Sequence, residues 1–373
     1  MERSNGETIF AKPYLDNVNS PAKPPALPER IEAVLRLREK SIEVIGSPWE
    51  LRGPSRRSQC RFGAHRHRRT LIIAACVAAL GGCGLAIWTH SGFPERFPGL
   101  DMQKISEAKV DVVVFQPTKG MEVFDHDWTL VTHMGQGERK VALSGDSLLF
   151  HYGPRVQQLA DEGQLAANIY FVAGGSCAPV PGVIQRDYFA HCANMPGLLA
   201  DLVRREKVQS VVLAASWAGY RDKGMLIERE GRRLPLNTIE GKDAFYANLE
   251  GYVRMLQGQG AEVFLVLGVP SHGRFDPSAM VTRNVTSLRV APDAGEAIPI
   301  AALRAVQATS DTELRTVAEH TGATLLDPFP DVCGSASGCS PFFGAGEPKF
   351  SDGMHLRPIF VREHLLFLDF LLK

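Results

Sequence analysis

The chain has no excess of either charge sign: lysine and arginine together number 41, and so do aspartate and glutamate. Without a net positive field it carries no global footprint for nucleic acid, and none is expected as a partner. Cysteine is sparse, with seven in 373 residues. No C-x-x-C occurs and the cysteine spacing is not that of a zinc ribbon, which argues against a bound metal. No segment repeats itself, so a solenoid or array is excluded. Long apolar runs are missing too, with one exception.

That exception is LIIAACVAALGGCGLAIW, residues 71–88, which has no charge and sits at the lower length limit for a membrane-spanning helix. Directly before it stands RRSQCRFGAHRHRR, residues 56–69, basic and free of acids. The abrupt join reads as a positive-inside flank. It predicts a cytoplasmic N-terminus, a single pass and an exported remainder. A buried soluble helix fits this join poorly. A cleaved signal peptide is the closer rival, but the leader is long for an n-region, so an uncleaved signal-anchor is preferred. Leu80-Gly81-Gly82-Cys83 also has the look of a lipoprotein cleavage box and stays a minor alternative.

The predicted organisation is a largely disordered basic cytoplasmic tail (1–70), a signal-anchor (71–89), a juxtamembrane linker (90–137) and an α/β domain (138–373). Within the tail, residues 28–45 have helical apolar spacing. Within the linker, residues 110–115 (VDVVVF) read as a strand. Of the cysteines, Cys177, Cys192, Cys333 and Cys339 lie in the exported part. Two close pairs in an oxidising compartment predict disulfides Cys177–Cys192 and Cys333–Cys339, with metal binding as the weaker rival.

From residue 138 a rhythm begins. Strand-like runs cover 141–145, 168–174, 208–216, 261–269 and 323–329. Helical patterns cover 148–162, 196–207, 244–259 and 301–320, and a last one runs from 358 to 372. Apolar strands alternating with helices predict a three-layer α/β/α domain on a five-stranded parallel sheet, preceded by one transmembrane helix. Ligands of such sheets bind beyond the carboxyl ends of the strands. Those ends carry Gly145-Asp146-Ser147, Gly174-Gly175-Ser176-Cys177, Ser216-Trp217-Ala218-Gly219-Tyr220 and Pro270-Ser271-His272, and a later loop carries Asp352-Gly353-Met354-His355.

A nucleophilic serine needs a base within reach and donors for the oxyanion. Asp352 and His355 are spaced to share one side of a turn, so the imidazole can face a serine while the carboxylate holds its other nitrogen. Gly-Asp-Ser arises by chance in about one chain of this length in ten, so its placement after the first strand carries the weight. The plainer readings are Ser147 as a helix N-cap, His355 without a role, and Gly174-Gly175 as an ordinary turn. Packing and sugar stacking are equal alternatives for Trp217. His272 is a weaker candidate for substrate contact.

These residues resemble the SGNH/GDSL hydrolase superfamily, with its flavodoxin-like sheet. More narrowly they resemble the SGNH domain fused to acyltransferase family 3 membrane proteins, which O-acylate bacterial surface polysaccharides. The likeness rests on Gly145-Asp146-Ser147, Ser176 to Pro179, Val212 to Tyr220, the Cys333…Cys339 pair and Asp352 to Leu356. It spans roughly 138–373. The resemblance implies Ser147 as nucleophile, His355 as base, Asp352 as its orienter, and N–H groups of Ser147 and of Gly174 or Gly175 as the oxyanion hole. Trp217 and Tyr220 are expected to contact substrate. No cofactor is implied. An Asn donor usual after the third strand is missing, with Ser216-Trp217 in its place, and Arg357 stands where a small residue is common. The implied activity is O-acyl transfer or ester hydrolysis on a surface glycan, at the bacterial inner membrane with the domain periplasmic or extracellular, with a separate membrane acyltransferase as a candidate partner. A catalytically silent domain that binds glycan or docks on that partner is the alternative.

Overall fold

A computed structural model describes residues 56–89, 102–112, 122–126, 129–185, 187–222, 224–283 and 288–373. The expected helix at 28–45 and most of the tail lie outside them. The chain divides into two units, residues 1–86 and 87–373. Helix α1 (Arg56–Thr89), most of it in the first unit, continues through the basic run, so residues 56–70 are helical rather than disordered. Among the described residues, Leu71–Thr89 is the one helix stretch long and apolar enough to cross a membrane. Its side chains are exposed throughout.

In the second unit, seven strands form the central sheet: β1 (Glu122–His126), β2 (Thr129–Met134), β3 (Lys140–Gly145), β4 (Asn168–Ala173), β5 (Ser210–Ala214), β6 (Glu262–Val266) and β7 (Thr324–Leu326). Their order is β1-β2-β4-β3-β5-β6-β7. The five strands from β3 onward are mutually parallel, in the doubly wound arrangement expected. The other two form an antiparallel hairpin that pairs with β4 and extends the sheet. This hairpin falls within the stretch expected to be a linker.

Alternate strand residues enter opposite cores. Ala142, Val211, Leu213, Val263 and Leu265 pack with Met195, Leu199 and Val203 of α4 (Met195–Glu206), with Leu249 and Val253 of α5 (Ile239–Gly258) and with Leu314 and Val317 of α6 (Ile300–Thr321); the preceding helix is α3 (Gly153–Asp161). Val141, Leu143, Val212, Phe264 and Val266 pack with Val156 and Leu159 of α3 on the other face. Two covered faces explain why the strands read as unbroken apolar runs.

Residues 102–112 also differ from expectation. Met102–Val110 is a helix, α2, so the strand expected at 110–115 is not formed over its described part. Ile105 and Ala108 of α2 are buried. Beyond its end, the Asp111 carboxylate accepts from Arg357 Nε at 3.0 Å. Arg357 also donates to Glu347 at 3.1 Å and to the Pro348 carbonyl at 3.1 Å. Its side chain is only 4% exposed, so two carboxylates are needed to keep the guanidinium paired out of water. Arg357 is thus held as a buried, paired cation in this domain. The expected last helix breaks after α7 (Pro358–His364), and a short turn, Asp369–Leu372, closes the chain.

Asp111→Ala should lower the stability of the domain by about 1–3 kcal/mol, because it leaves a buried guanidinium with one carboxylate fewer. Thermal unfolding of the purified protein measures it, and an unchanged melting temperature contradicts the assignment.

Candidate active site

The carboxyl ends of β3, β4 and β5 align at Gly145, which stands opposite Ala173 and Ala214. The approach is close: a Cβ on Gly145 would lie 1.7 Å from the Ala214 carbonyl oxygen. Only glycine fits there, and the next two residues are delivered beyond the sheet edge.

The first of them, Asp146, turns inward and is 1% exposed. Its carboxylate accepts from the Leu148 N–H at 2.9 Å, the Ser216 N–H at 2.9 Å and the Tyr220 hydroxyl at 2.6 Å. Three donors satisfy a buried anion. They also join the turn after β3 to the turn after β5. The Tyr220 oxygen lies 3.3 Å from the Cys177 carbonyl as well, so the same phenol reaches the turn after β4.

Ser147 is half-buried at the surface of this frame. Its Oγ lies 2.9 Å from His355 Nε2. His355 Nδ1 lies 2.6 Å from Asp352 Oδ2. The other oxygen of Asp352 accepts from the backbone N–H groups of Met354 and His355, both at 2.8 Å. Burial opposes ionisation of Asp352. The hydrogen bonds from the His355 ring and the two N–H groups outweigh it and hold the carboxyl well below the usual carboxylate range. A carboxylate on Nδ1 places the imidazole proton there and leaves the Nε2 lone pair facing the serine. The loop is fastened by the Gly353 carbonyl, which accepts from the His272 N–H at 2.9 Å, and by a bridge between Phe350 and Leu356.

Ser147 is not a helix N-cap. The turn's side-chain acceptor is Asp146, and a 3-10 turn (Phe150–Tyr152) intervenes before α3. Among the expected oxyanion donors, the Gly174 N–H is already given to the Gly145 carbonyl at 3.2 Å. No described residue accepts from the N–H of Gly175 or of Ser147. The adjoining Ser176 has φ 63°, a left-handed conformation unusual for serine and therefore strained.

Trp217 and Tyr220 depart from the expected substrate contact. Both are buried, at 2% and 1% exposure. The Trp217 indole N–H donates to the Val266 carbonyl at 2.8 Å, and the Tyr220 hydroxyl is held by Asp146. With their polar atoms committed inward, they brace the site from below. His272 is exposed, and its Nδ1 accepts from the Arg274 N–H at 3.1 Å. Disulfides join Cys177 to Cys192 and Cys333 to Cys339. His191 lies beside the first, forming the one cluster of metal-ligating atoms among the described residues, but both sulfurs are committed to each other.

Sequence reasoning gave Asp146 no role and did not single out His151, whose ring packs against His355 with centroids 5.3 Å apart. The position of Asp146 inside Gly-Asp-Ser was the available signal for the first; nothing in the sequence marked the second.

Two outcomes follow from these bonds. Tyr220→Phe removes one of three donors from a buried carboxylate and should destabilise the fold by about 1.5–3 kcal/mol in chemical denaturation; no loss contradicts the bracing role. For Asp352, a depressed folded pKa contributes stability above the unfolded value of about 4, and that contribution fades as pH falls below it. Asp352→Asn should therefore cost melting temperature at pH 7 and progressively less at acid pH. An offset that stays constant with pH contradicts the reading.

The SGNH domain family described as fused to AT3 domains matches residues 116–363 of the chain. A search of curated proteins found no match. Among solved structures, the chain is similar to the periplasmic domain of a Salmonella ser. Paratyphi A lipopolysaccharide acetyltransferase, at 13% identity and TM-score 0.43, over 62% of this chain and 82% of that one. It is similar to an acetyl-xylooligosaccharide esterase from Geobacillus, at 11% identity and TM-score 0.35, over 62% and 93%. An esterase from Pseudoalteromonas sp. aligns at 15% identity and TM-score 0.31, over 53% and 82%. With the family profile spanning most of its length, the chain belongs to the SGNH domain family found fused to AT3 domains.

Proposed function

We propose that this protein is a membrane-anchored serine acyltransferase or esterase that handles O-acyl groups, acetyl above all, on a bacterial surface glycan. The observation that carries the proposal is the unbroken line from Asp352 to His355 to Ser147, with links of 2.6 and 2.9 Å. Ser147 Oγ attacks an acyl carbonyl while His355 Nε2 takes its proton. Asp352 stabilises the resulting imidazolium. The N–H groups of Ser147 and Gly175 meet the oxyanion. Collapse of the tetrahedral species expels the first alcohol, protonated by His355, and leaves an acyl-serine. A sugar hydroxyl or water, deprotonated by His355, then attacks the acyl carbon, and the departing Ser147 oxygen takes that proton back from His355.

The helix at Leu71–Thr89 supports a single-pass anchor. The basic run before it supports an N-terminus in the cytoplasm and a catalytic domain in the periplasm or outside the cell. Two disulfides fit an oxidising compartment. Family membership supports a glycan substrate and an acyl donor delivered by a separate membrane acyltransferase.

A fluorophosphonate probe tests the chemistry directly. The purified protein should be labelled at one serine, and Ser147→Ala and His355→Ala should each abolish labelling. Wild type that is folded but unlabelled points instead to a silent glycan-binding or docking domain. Acyl release measured with and without an oligosaccharide acceptor then separates transfer from hydrolysis.

A further inference from the structure

His151 stands four residues after Ser147 and is 1% exposed. Neither of its ring nitrogens meets a hydrogen-bonding partner among the described residues. Its ring stands edge-on to that of His355, at an interplanar angle of 80°. Burying an imidazole with both nitrogens unpaired is unfavourable, and a phenyl ring would fill the same space without that penalty. An orphaned polar group touching the base of a catalytic array calls for an explanation there.

Accepting the serine chemistry proposed above, we propose that His151 is a positioning residue that stabilises the protonated form of His355 as the proton leaves Ser147. Neutral imidazole carries one N–H and one lone pair, and its two tautomers exchange which nitrogen bears which. Among the described residues, no group fixes the tautomer of His151. The ring is therefore able to present its lone pair, or its electron-rich face, to a neighbour that becomes positive. Acting as a base, His355 begins the step without the extra proton, and this dipole has nothing to solvate. In the transition state His355 carries the proton, and a preoriented dipole in a dry environment acts at full strength. The penalty in the ground state is thus recovered only when the reaction proceeds.

Such a device works only if His151 itself stays uncharged. Burial pushes its pKa down to about 3, and the neighbouring His355 acts in the same direction, with Asp352 opposing. His151 therefore does not compete for the proton and does not repel the imidazolium. The titratable groups that act on it, His355 and Asp352, both belong to the loop before α7, while His151 shares a segment with the nucleophile.

The test is the rate of fluorophosphonate labelling across pH in full-length wild type, His151→Phe and His151→Asn. Labelling requires neutral His355, so its acid limb reports that imidazole. His151→Phe should label about 10-fold more slowly at neutral pH, less than the roughly 100-fold or more lost with a direct oxyanion donor, because this dipole acts through His355. Its acid limb should move to lower pH, because protonated His355 has lost a stabilising neighbour. Its melting temperature should match or exceed that of wild type. His151→Asn, which returns a lone pair to the site, should recover part of the rate. A wild-type rate in His151→Phe overturns the proposal, and so does a slow rate with an unmoved acid limb, which would mark a packing defect. If wild type is not labelled, or Ser147→Ala still is, the serine chemistry itself fails, and that outcome is distinct from both.

Discussion

A buried carboxylate with three donors holds this site together. Asp146 sits at the end of the central strand, out of water, and its charge is met by two backbone N–H groups and one phenol. An anion in that position cannot be left with fewer partners without a large desolvation penalty. The turns after β3 and β5 are therefore not independent loops. Each supplies what the other needs, and the phenol that completes the set also approaches the turn after β4. Ser147 inherits its position from this arrangement. The Asp352 to His355 pair, arriving from the far end of the chain, finds the hydroxyl already fixed.

Tension runs through the same small region. Gly145 is pressed against the Ala214 carbonyl, Ser176 is held left-handed, and the ring nitrogens of the buried His151 have no hydrogen-bonding partner among the described residues. Departures of this kind persist only where surrounding structure overdetermines them. Here that structure is the double core, with apolar residues of alternate parity packed on both faces of the sheet. The core supplies the rigidity, and the strand ends use it.

The parallel strands were legible in the sequence because strands covered on both faces become continuous apolar runs, and such runs are the strongest local signal a chain can carry. The serine and the Asp-x-x-His pair were legible because their positions relative to those runs are topological. The hairpin of β1 and β2 was not, since Glu122–His126 and Thr129–Met134 mix polar and apolar residues and are fixed by pairing with β4, a distant partner. Helix α2 was missed for a related reason: Lys104 within it pairs with Glu347 and Asp111 just beyond it pairs with Arg357, and both are long-range ion pairs. The inward commitment of Trp217 and Tyr220 turned on which way two side chains point, which spacing alone does not encode. His151 stayed invisible because a histidine becomes noteworthy only once its surroundings are known.

The crosslink at Cys177 has a practical corollary. It closes the segment that follows Gly174, Gly175 and Ser176, and it is formed by oxidation rather than by folding alone. Polypeptide made in a host cytosol, where thiols stay reduced, contains every residue of the serine array yet lacks the covalent brace on its neighbouring turn. The choice of secretion route in recombinant production is therefore part of assembling this site, and material from the two routes is not the same reagent.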